Sequence, residues 1–321
     1  MTNNHHKAGS RPRDKKILVS GSIVYDRIMD FPGLFSDHIL PDQTHILNVS
    51  FTLERTDESF GGTAGNIAYN LALLKEPAVL LGLVGHDFTR YGQWLKKNKI
   101  DFSLVKQSKK EATASAYIMT DKADNQISGF YPGPMDVEYC SLVRKIKNPA
   151  LAIVSPDFKP RMIAYIRLYK EMGLDYIFDP GQQITSFTAS ELRQVIKGSK
   201  ILIGNDYEIK LILDKLNLGH DKLEKLVDIL VITKGADGSE IHSKDGRIDI
   251  KATKVKKVID PTGAGDAYRA GLIKGLVSGA SLEKSAQLAS TIAAYAVEHQ
   301  GTQAHKFTLK EFINRYKQNY K

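Results

Sequence analysis

The chain has 321 residues, with 45 Lys and Arg against 36 Asp and Glu, a formal net charge of +9. Apolar residues make up 42% and charged residues 25%, which excludes a mainly disordered chain, a collagen-like repeat and a coiled coil. The length suffices for a sizeable core in one large domain or two smaller ones.

The N-terminus (MTNNHHKAGSRPRDKK) is polar and basic. Residues 1–14 read as a flexible arm, and the adjacent His5 and His6 as inert tail residues. From Lys16 onward, short apolar runs alternate with helical stretches. KILVSG (16–21), AVLLGLVG (78–85), LAIVSP (151–156), DYIFDPG (175–181), ILIGN (201–205) and DILVITKG (228–235) predict strands. Most are near-continuous apolar runs, as expected of strands covered on both faces in a parallel sheet. Between them the spacing predicts helices over 65–75, 161–173, 191–199, 207–216 and 223–227. Two long helices rich in small residues follow, at about 264–278 and 282–299. Alternation of this kind predicts an α/β sandwich. Residues 24–60 and 111–132 break the pattern. Their alternating apolar spacing (HILNVSF, TASAYIMT, NQISGFY) predicts a second, smaller antiparallel sheet inserted into residues 15–321.

No apolar run approaches the roughly 20 residues that span a bilayer, and no secretory core is visible. The lone Cys140 excludes an internal disulfide and a cysteine-built zinc site. The expectation is a cytoplasmic protein without membrane contact. The charge of +9 suits a nucleic-acid binder or an enzyme with anionic ligands. No zinc finger, RNA-recognition signature or Arg-rich aromatic stripe supports the first reading, and no GxGxxG follows the first strand to support a dehydrogenase.

Five segments carry chemistry. In DPTGAGDAYRAG (260–271), Gly263, Ala264 and Gly265 precede a helix, where exposed amides and the helix dipole favour an anion such as phosphate. Asp266 sits in the first turn, placed either to accept a proton from an attacking hydroxyl or merely to complement the dipole. GGTAGN (61–66) also leads into a helix. Gly61 and Gly62 permit close backbone approach, and Asn66 faces a ligand or acts as a cap. In VSGSIVYDRI (19–28), Asp26 follows a buried strand, suited to a vicinal diol or to solvent. In GNDYE (204–208), Asn205 and Glu208 suit Mg²⁺ held through water or a capping arrangement. In ITKGADG (232–238), Thr233, Gly235 and Gly238 suit phosphate contact or a hairpin turn.

These segments, in this order and at these separations, resemble the ribokinase/PfkB-like kinases over about residues 16–310. The resemblance implies a Rossmann-like ribokinase fold, with a mostly parallel sheet flanked by helices and a small β-sheet lid. It implies ATP as phosphoryl donor to a hydroxymethyl of a sugar or nucleoside, with Mg²⁺. Asp266 is then the base, and the amides of Gly263, Ala264, Gly265 and Asp266 form the anion hole. Asp26, Gly61, Gly62 and Asn66 contact the sugar. Asn205 and Glu208 organise Mg²⁺ and phosphates, and Thr233, Gly235 and Gly238 contact nucleotide. Asp260 and Thr262 match positions near a monovalent-cation site in many members, which makes K⁺ a candidate ion. Helix 282–299 and QGTQ (300–303) are expected beside adenine. FPGLFSDHILPDQTHILNVSF, FGGTAGNIAYNLALL and DNQISGFYPGPM are more similar to the prokaryotic adenosine and nucleoside kinases than to ribokinase or fructokinase. Adenosine is therefore the expected acceptor, with Phe51, Phe130 and Tyr131 as candidates for stacking on its base or for packing the lid. A sugar or sugar-phosphate kinase is the alternative, with Arg27 and Arg55 as candidate phosphate ligands, and a nucleotide sensor without catalysis is a second. The partners implied are small molecules, and the chain a monomer or homodimer. The lysines of KATKVKK (251–257) are expected to raise the potential where ATP enters.

Overall fold

The computed structural model describes residues 16–39 and 47–320; the N-terminal arm with His5 and His6 lies outside them. In chain order the strands are β1 (Ile17–Ser20), β2 (Val24–Asp30), β3 (Arg55–Gly61), β4 (Ala78–Val84), β5 (Asp101–Gln107), β6 (Ser115–Thr120) and β7 (Gln126–Tyr131). They continue with β8 (Leu151–Val154), β9 (Tyr176–Phe178), β10 (Ile201–Asn205), β11 (Ile229–Thr233), β12 (Ser239–Ser243) and β13 (Gly246–Ile250). The helices are α1 (Thr63–Leu73), α2 (Thr89–Lys97), α3 (Lys159–Glu171), α4 (Ala189–Ile196), α5 (Asp206–Leu216), α6 (His220–Glu224), α7 (Ala264–Val277), α8 (Leu282–Val297) and α9 (Leu309–Asn319).

All six predicted apolar runs form strands of one 9-stranded sheet, in the order β13-β12-β11-β10-β9-β8-β1-β4-β5. The pairs from β5 to β11 are parallel, and β12 and β13 add antiparallel at one edge. Continuous burial explains the continuous apolar character: β1 and β8 are buried at every position. Alternate residues feed two cores, with Ile17 and Val19 in one and Leu18 in the other. Edge strand β5 (DFSLVKQ) has one buried residue among seven, so no apolar run announces it.

The second sheet has four strands in the order β3-β2-β6-β7. It is not wholly antiparallel as expected, because β2 and β6 run parallel. Of the predicted strand HILNVSF, residues 45 and 46 lie outside the described residues and 47–51 form no strand. Phe51 instead packs against Phe31, Phe35 and His38 with ring centroids 4.7–5.5 Å apart. The alternation there reflects an aromatic cluster at the sheet's end.

Helices α7 and α8 pack closely because small residues face each other. A Cβ on Gly271 would sit 2.5 Å from the Ala289 backbone. Gly271→Val is expected to cost about 1–3 kcal/mol by overpacking, read as a lower urea midpoint. An unchanged midpoint would mean that the helices separate freely.

Candidate active site

The parallel strands end at one edge, and that edge carries the site. Ser22 follows β1, Pro156 and Asp157 follow β8, Asp179 follows β9, and Asn205 and Thr233 end β10 and β11. Strand β1 lies between β4 and β8, so the chain's progression across the sheet reverses there. Ligands of open α/β sheets bind at such a switch point.

Two cavities open along this edge. The larger, about 880 Å³, is bounded by Asp26, Gly62, Asn66, Phe130, Gln183 and Thr302 among others. The smaller, about 480 Å³, is bounded by Asn205, Tyr207, Glu208, Thr233, Gly235 and Arg269 among others. Thr63, Pro156, Gln182, Gly263 and Asp266 line both. Asp266 therefore stands where the two compartments meet.

Its position follows from the local sequence. Gly263 caps α7 with φ 78°, a left-handed conformation that strains any L residue. Ala264, Gly265 and Asp266 then fill the first helical turn; contrary to expectation the Ala264 amide is taken by the Pro261 carbonyl at 3.2 Å and Ala264 lines neither cavity, which leaves the amides of Gly263, Gly265 and Asp266. Gly265 is small for a different reason: a Cβ there would lie 2.8 Å from Arg269 Nη1. Arg269, one turn on, forms a buried bidentate pair with Asp179, through Nε to Oδ2 and through Nη2 to Oδ1 at 2.6 Å. Asn66 Nδ2 donates to Asp266 Oδ2 at 2.8 Å. Burial pushes the Asp266 carboxyl up to about 7; Arg269 and Asn66 pull against this, while Asp179 and Asp26 add to it. A carboxyl near neutrality at the junction of two cavities is suited to take a proton from a hydroxyl.

Asp26 lies on β2 and reaches the larger cavity, where burial raises its carboxyl to about 6. Gly61 packs behind it, since a Cβ there would strike the Asp26 carboxylate; it does not line the cavity among the described residues. Phe130 is 62% exposed and faces the larger cavity, whereas Tyr131 and Phe51 do not line it. Asn205 and Glu208 line the smaller cavity and also form a reciprocal cap. Asn205 Oδ1 accepts from the Glu208 amide at 2.7 Å, and Glu208 Oε2 from the Asn205 amide at 2.8 Å. Burial, with Asp179 nearby, raises the Glu208 carboxyl. Thr233 and Gly235 line the same cavity at a hairpin turn between β11 and β12.

The other expected residues lie outside the lining of the smaller cavity. Gly238 lies outside the cavity lining; at φ 93° it turns the hairpin, and a Cβ there would strike the Ile250 carbonyl. Asp260 spends its oxygens on protein donors. Oδ1 accepts from the Thr262 amide and Oδ2 from the Gly301 amide, both at 2.9 Å. Burial would raise its pKa, but these bonds outweigh that and hold the carboxyl low. Thr262 lines the larger cavity. QGTQ and α8 do not border the smaller cavity: Thr302 faces the larger one, and Gln303 is buried behind Asn66. Arg27 pairs with Glu58 at 3.1 Å and Arg55 with Asp57 at 2.5 Å, and neither lines either cavity. The lysines Lys254, Lys256 and Lys257 likewise lie outside the lining. Reading the sequence missed the Arg269–Asp179 pair, because its members are 90 positions apart. It also missed Thr63 and Gln182; only the short DPGQQ turn after β9 hinted at the latter.

The profile of the PfkB carbohydrate kinases matches residues 14–308. The chain belongs to this family. A nucleoside kinase of Methanocaldococcus jannaschii is 34% identical to this PfkB-family member over 274 residues, 84% of this chain and 89% of that one. The nucleoside kinase of Burkholderia thailandensis in complex with inosine is 35% identical with a TM-score of 0.84, covering 95% of this chain and 97% of that one. Its complex with ADP-inosine is 37% identical with a TM-score of 0.81, covering 95% and 96%. Among the described residues, no helix of the PfkB-family chain is long and apolar enough to cross a membrane.

Proposed function

We propose that this PfkB-family chain is an ATP-dependent kinase of the 5′-hydroxyl of a purine ribonucleoside, adenosine first. The observation that carries the reading is Asp266 at the shared wall of two cavities, one large enough for a nucleoside and one rich in helix-start amides. The similarity to nucleoside kinases supports it. In the larger cavity, Asp26 accepts hydroxyls of the ribose diol and Asn66 faces the sugar. Phe130 offers an apolar face to the base, and the small sheet that carries it serves as a lid over one domain built from residues 15–321. In the smaller cavity, the Thr233 hydroxyl and the Gly235 backbone meet the nucleotide phosphates.

Asp266 takes the proton of the 5′-hydroxyl as that oxygen bonds to the γ-phosphorus and ADP leaves. The amides of Gly263, Gly265 and Asp266 receive the developing negative charge. Mg²⁺ fits beside Glu208, whose carboxylate lines the smaller cavity with one oxygen held by the cap. When bound it supplies charge neutralisation on the phosphates. The environment of Asp260, with both oxygens already accepting amides, gives no independent support for K⁺.

ADP release measured across adenosine, inosine, ribose and fructose, with and without K⁺, tests the reading. Faster turnover of ribose or fructose than of any nucleoside overturns it, and no ATP consumption with any acceptor would favour a sensor. Asp26→Ala is expected to raise the nucleoside KM about 10- to 100-fold. That range is about 1.4–2.8 kcal/mol, the net loss of about one hydrogen bond to a charged group. An unchanged KM removes Asp26 from the sugar site.

A further inference from the structure

Behind Asn66 lies a chain of hydrogen bonds whose direction is fixed at both ends. Trp94 Nε1 donates to Gln303 Oε1 at 2.8 Å. Gln303 Nε2 donates to Asn66 Oδ1 at 3.0 Å and to the Tyr91 hydroxyl at 2.7 Å. The Tyr91 hydroxyl donates to the Gly61 carbonyl at 2.7 Å. Asn66 Nδ2 then donates to Asp266 Oδ2.

An amide can present its oxygen or its nitrogen in a given direction, and its partners decide which. Here the partners leave no choice. An indole N–H only donates, so the Gln303 atom facing Trp94 is the oxygen. A carbonyl only accepts, so the Tyr91 proton points to Gly61 and its oxygen must accept from Gln303. Both constraints place the Gln303 nitrogen toward Asn66, which places the Asn66 oxygen toward Gln303 and its NH₂ toward Asp266. Gln303, Tyr91 and Asn66 are buried, so water does not substitute for these partners. Gly65, the last glycine of GGTAGN, is required by the same chain, because a Cβ there would strike the Tyr91 hydroxyl and approach Gln303 Nε2 to 3.2 Å.

We propose that Trp94 and Gln303 are positioning residues that lock the Asn66 amide with its N–H toward Asp266, keeping the carboxylate oriented and ionisable. The inference rests on the proposed role of Asp266 as base. With the Asn66 amide reversed, an oxygen would face the Asp266 carboxylate and favour its protonated form. The other charged or titratable groups acting on Asp266 are Arg269 on α7, Asp179 after β9, Asp26 on β2 and Tyr91 on α2. Exchanging Gln303 for Glu also removes the hydrogen bond to Tyr91 and adds a charge of its own, whereas Trp94→Phe leaves all of these charges as they are.

Gln303→Glu is the stronger variant, and Trp94→Phe is the one that adds no charge. A carboxylate at that position still accepts from Trp94 but can donate to neither Asn66 nor the Tyr91 hydroxyl, so the Tyr91 proton must turn from the Gly61 carbonyl toward it and the Asn66 amide reverses. Trp94→Phe is the milder variant, removing one of the two constraints. For Gln303→Glu the expected result is a rise of about one unit in the Asp266 pKa. This would appear as about tenfold lower kcat at pH 7, largely recovered at pH 9. Trp94→Phe should shift the profile in the same direction by less. The Asp266 pKa is also followed by carboxyl ¹³C NMR titration of the substrate-free protein, assigned with Asp266→Asn. An unmoved pH profile and titration in Trp94→Phe, whatever Gln303→Glu does, or a loss that stays constant with pH, overturns the proposal. A wild-type protein that phosphorylates no acceptor overturns the function reading instead, and the titration still decides the relay. Should Gln303→Glu not fold, Trp94→Phe and Tyr91→Phe, measured by the same titration, decide it.

Discussion

Asp266→Asn is expected to lower nucleoside turnover by about 10²–10⁴-fold, the usual scale for loss of a general base. The amide keeps the shape and can still meet Asn66, so folding and nucleotide binding should survive. What is lost is the proton acceptor. The pH dependence supplies a second readout. The Asp266 carboxyl sits at about 7 and Asp26 at about 6, both raised chiefly by burial. The basic form is needed, so kcat/KM of the wild type should climb as pH rises through about 7, and the asparagine variant should lose that limb. Stability runs the opposite way. Folded pKa values above the unfolded ones mean that the folded state binds these protons more tightly. Their contribution is fully present below about pH 4 and is lost as pH rises through about 6 to 7. Asp266→Asn removes an ionisable group whose folded pKa is raised, so its stability should fall less than the wild type's between pH 5 and 8. Near-normal turnover in the variant would remove Asp266 from the chemistry.

Arg269→Met is expected to destabilise the fold by about 3–5 kcal/mol, because it strands a buried carboxylate. Asp179 and Arg269 are 1% and 6% exposed, and they join the turn after β9 to the first turns of α7. The double variant Arg269→Met/Asp179→Leu should recover much of the loss, since neither charge then remains buried alone. Urea denaturation of the two single variants and the double variant measures this coupling. A strictly additive double variant would show that the pair does not act as a unit. Arg269 also holds the Asp266 carboxyl down. Its removal should therefore move the rising limb of the kcat/KM profile to higher pH as well as lower the urea midpoint. That shift separates a role in the site from a role in folding alone.

Much of the large sheet was legible because strands buried on both faces must be apolar throughout, and six runs of that kind became β1, β4, β8, β9, β10 and β11. The edge strand β5 lacks that constraint and carries no comparable mark, and the solvated strand β7, exposed at all six positions, was marked only by the alternation in NQISGFY. Phe51 and Phe130 look alike in sequence, but one is packed among Phe31, Phe35 and His38 and the other faces the cavity. Gly235 and Gly238 likewise share one short motif, although only Gly235 borders the cavity. The cap formed by Asn205 and Glu208 was legible because capping is local, spanning three positions along the chain.

By itself the sequence determined the alternation of strands and helices, the glycine-marked starts of α1 and α7, and Asp266 in the first turn of α7. These are local matters of periodicity, backbone conformation and capping, decided within about a dozen residues. Tertiary structure alone decided what surrounds that carboxylate. Asn66 lies 200 positions away, and Asp179 acts through Arg269, from which it is separated by 90 positions. Gln303 stands 237 positions from the Asn66 amide that it orients. Burial, charge pairing and amide direction depend on neighbours in space, so they exist only once the strand ends and the two helix starts have been brought to one edge of the sheet.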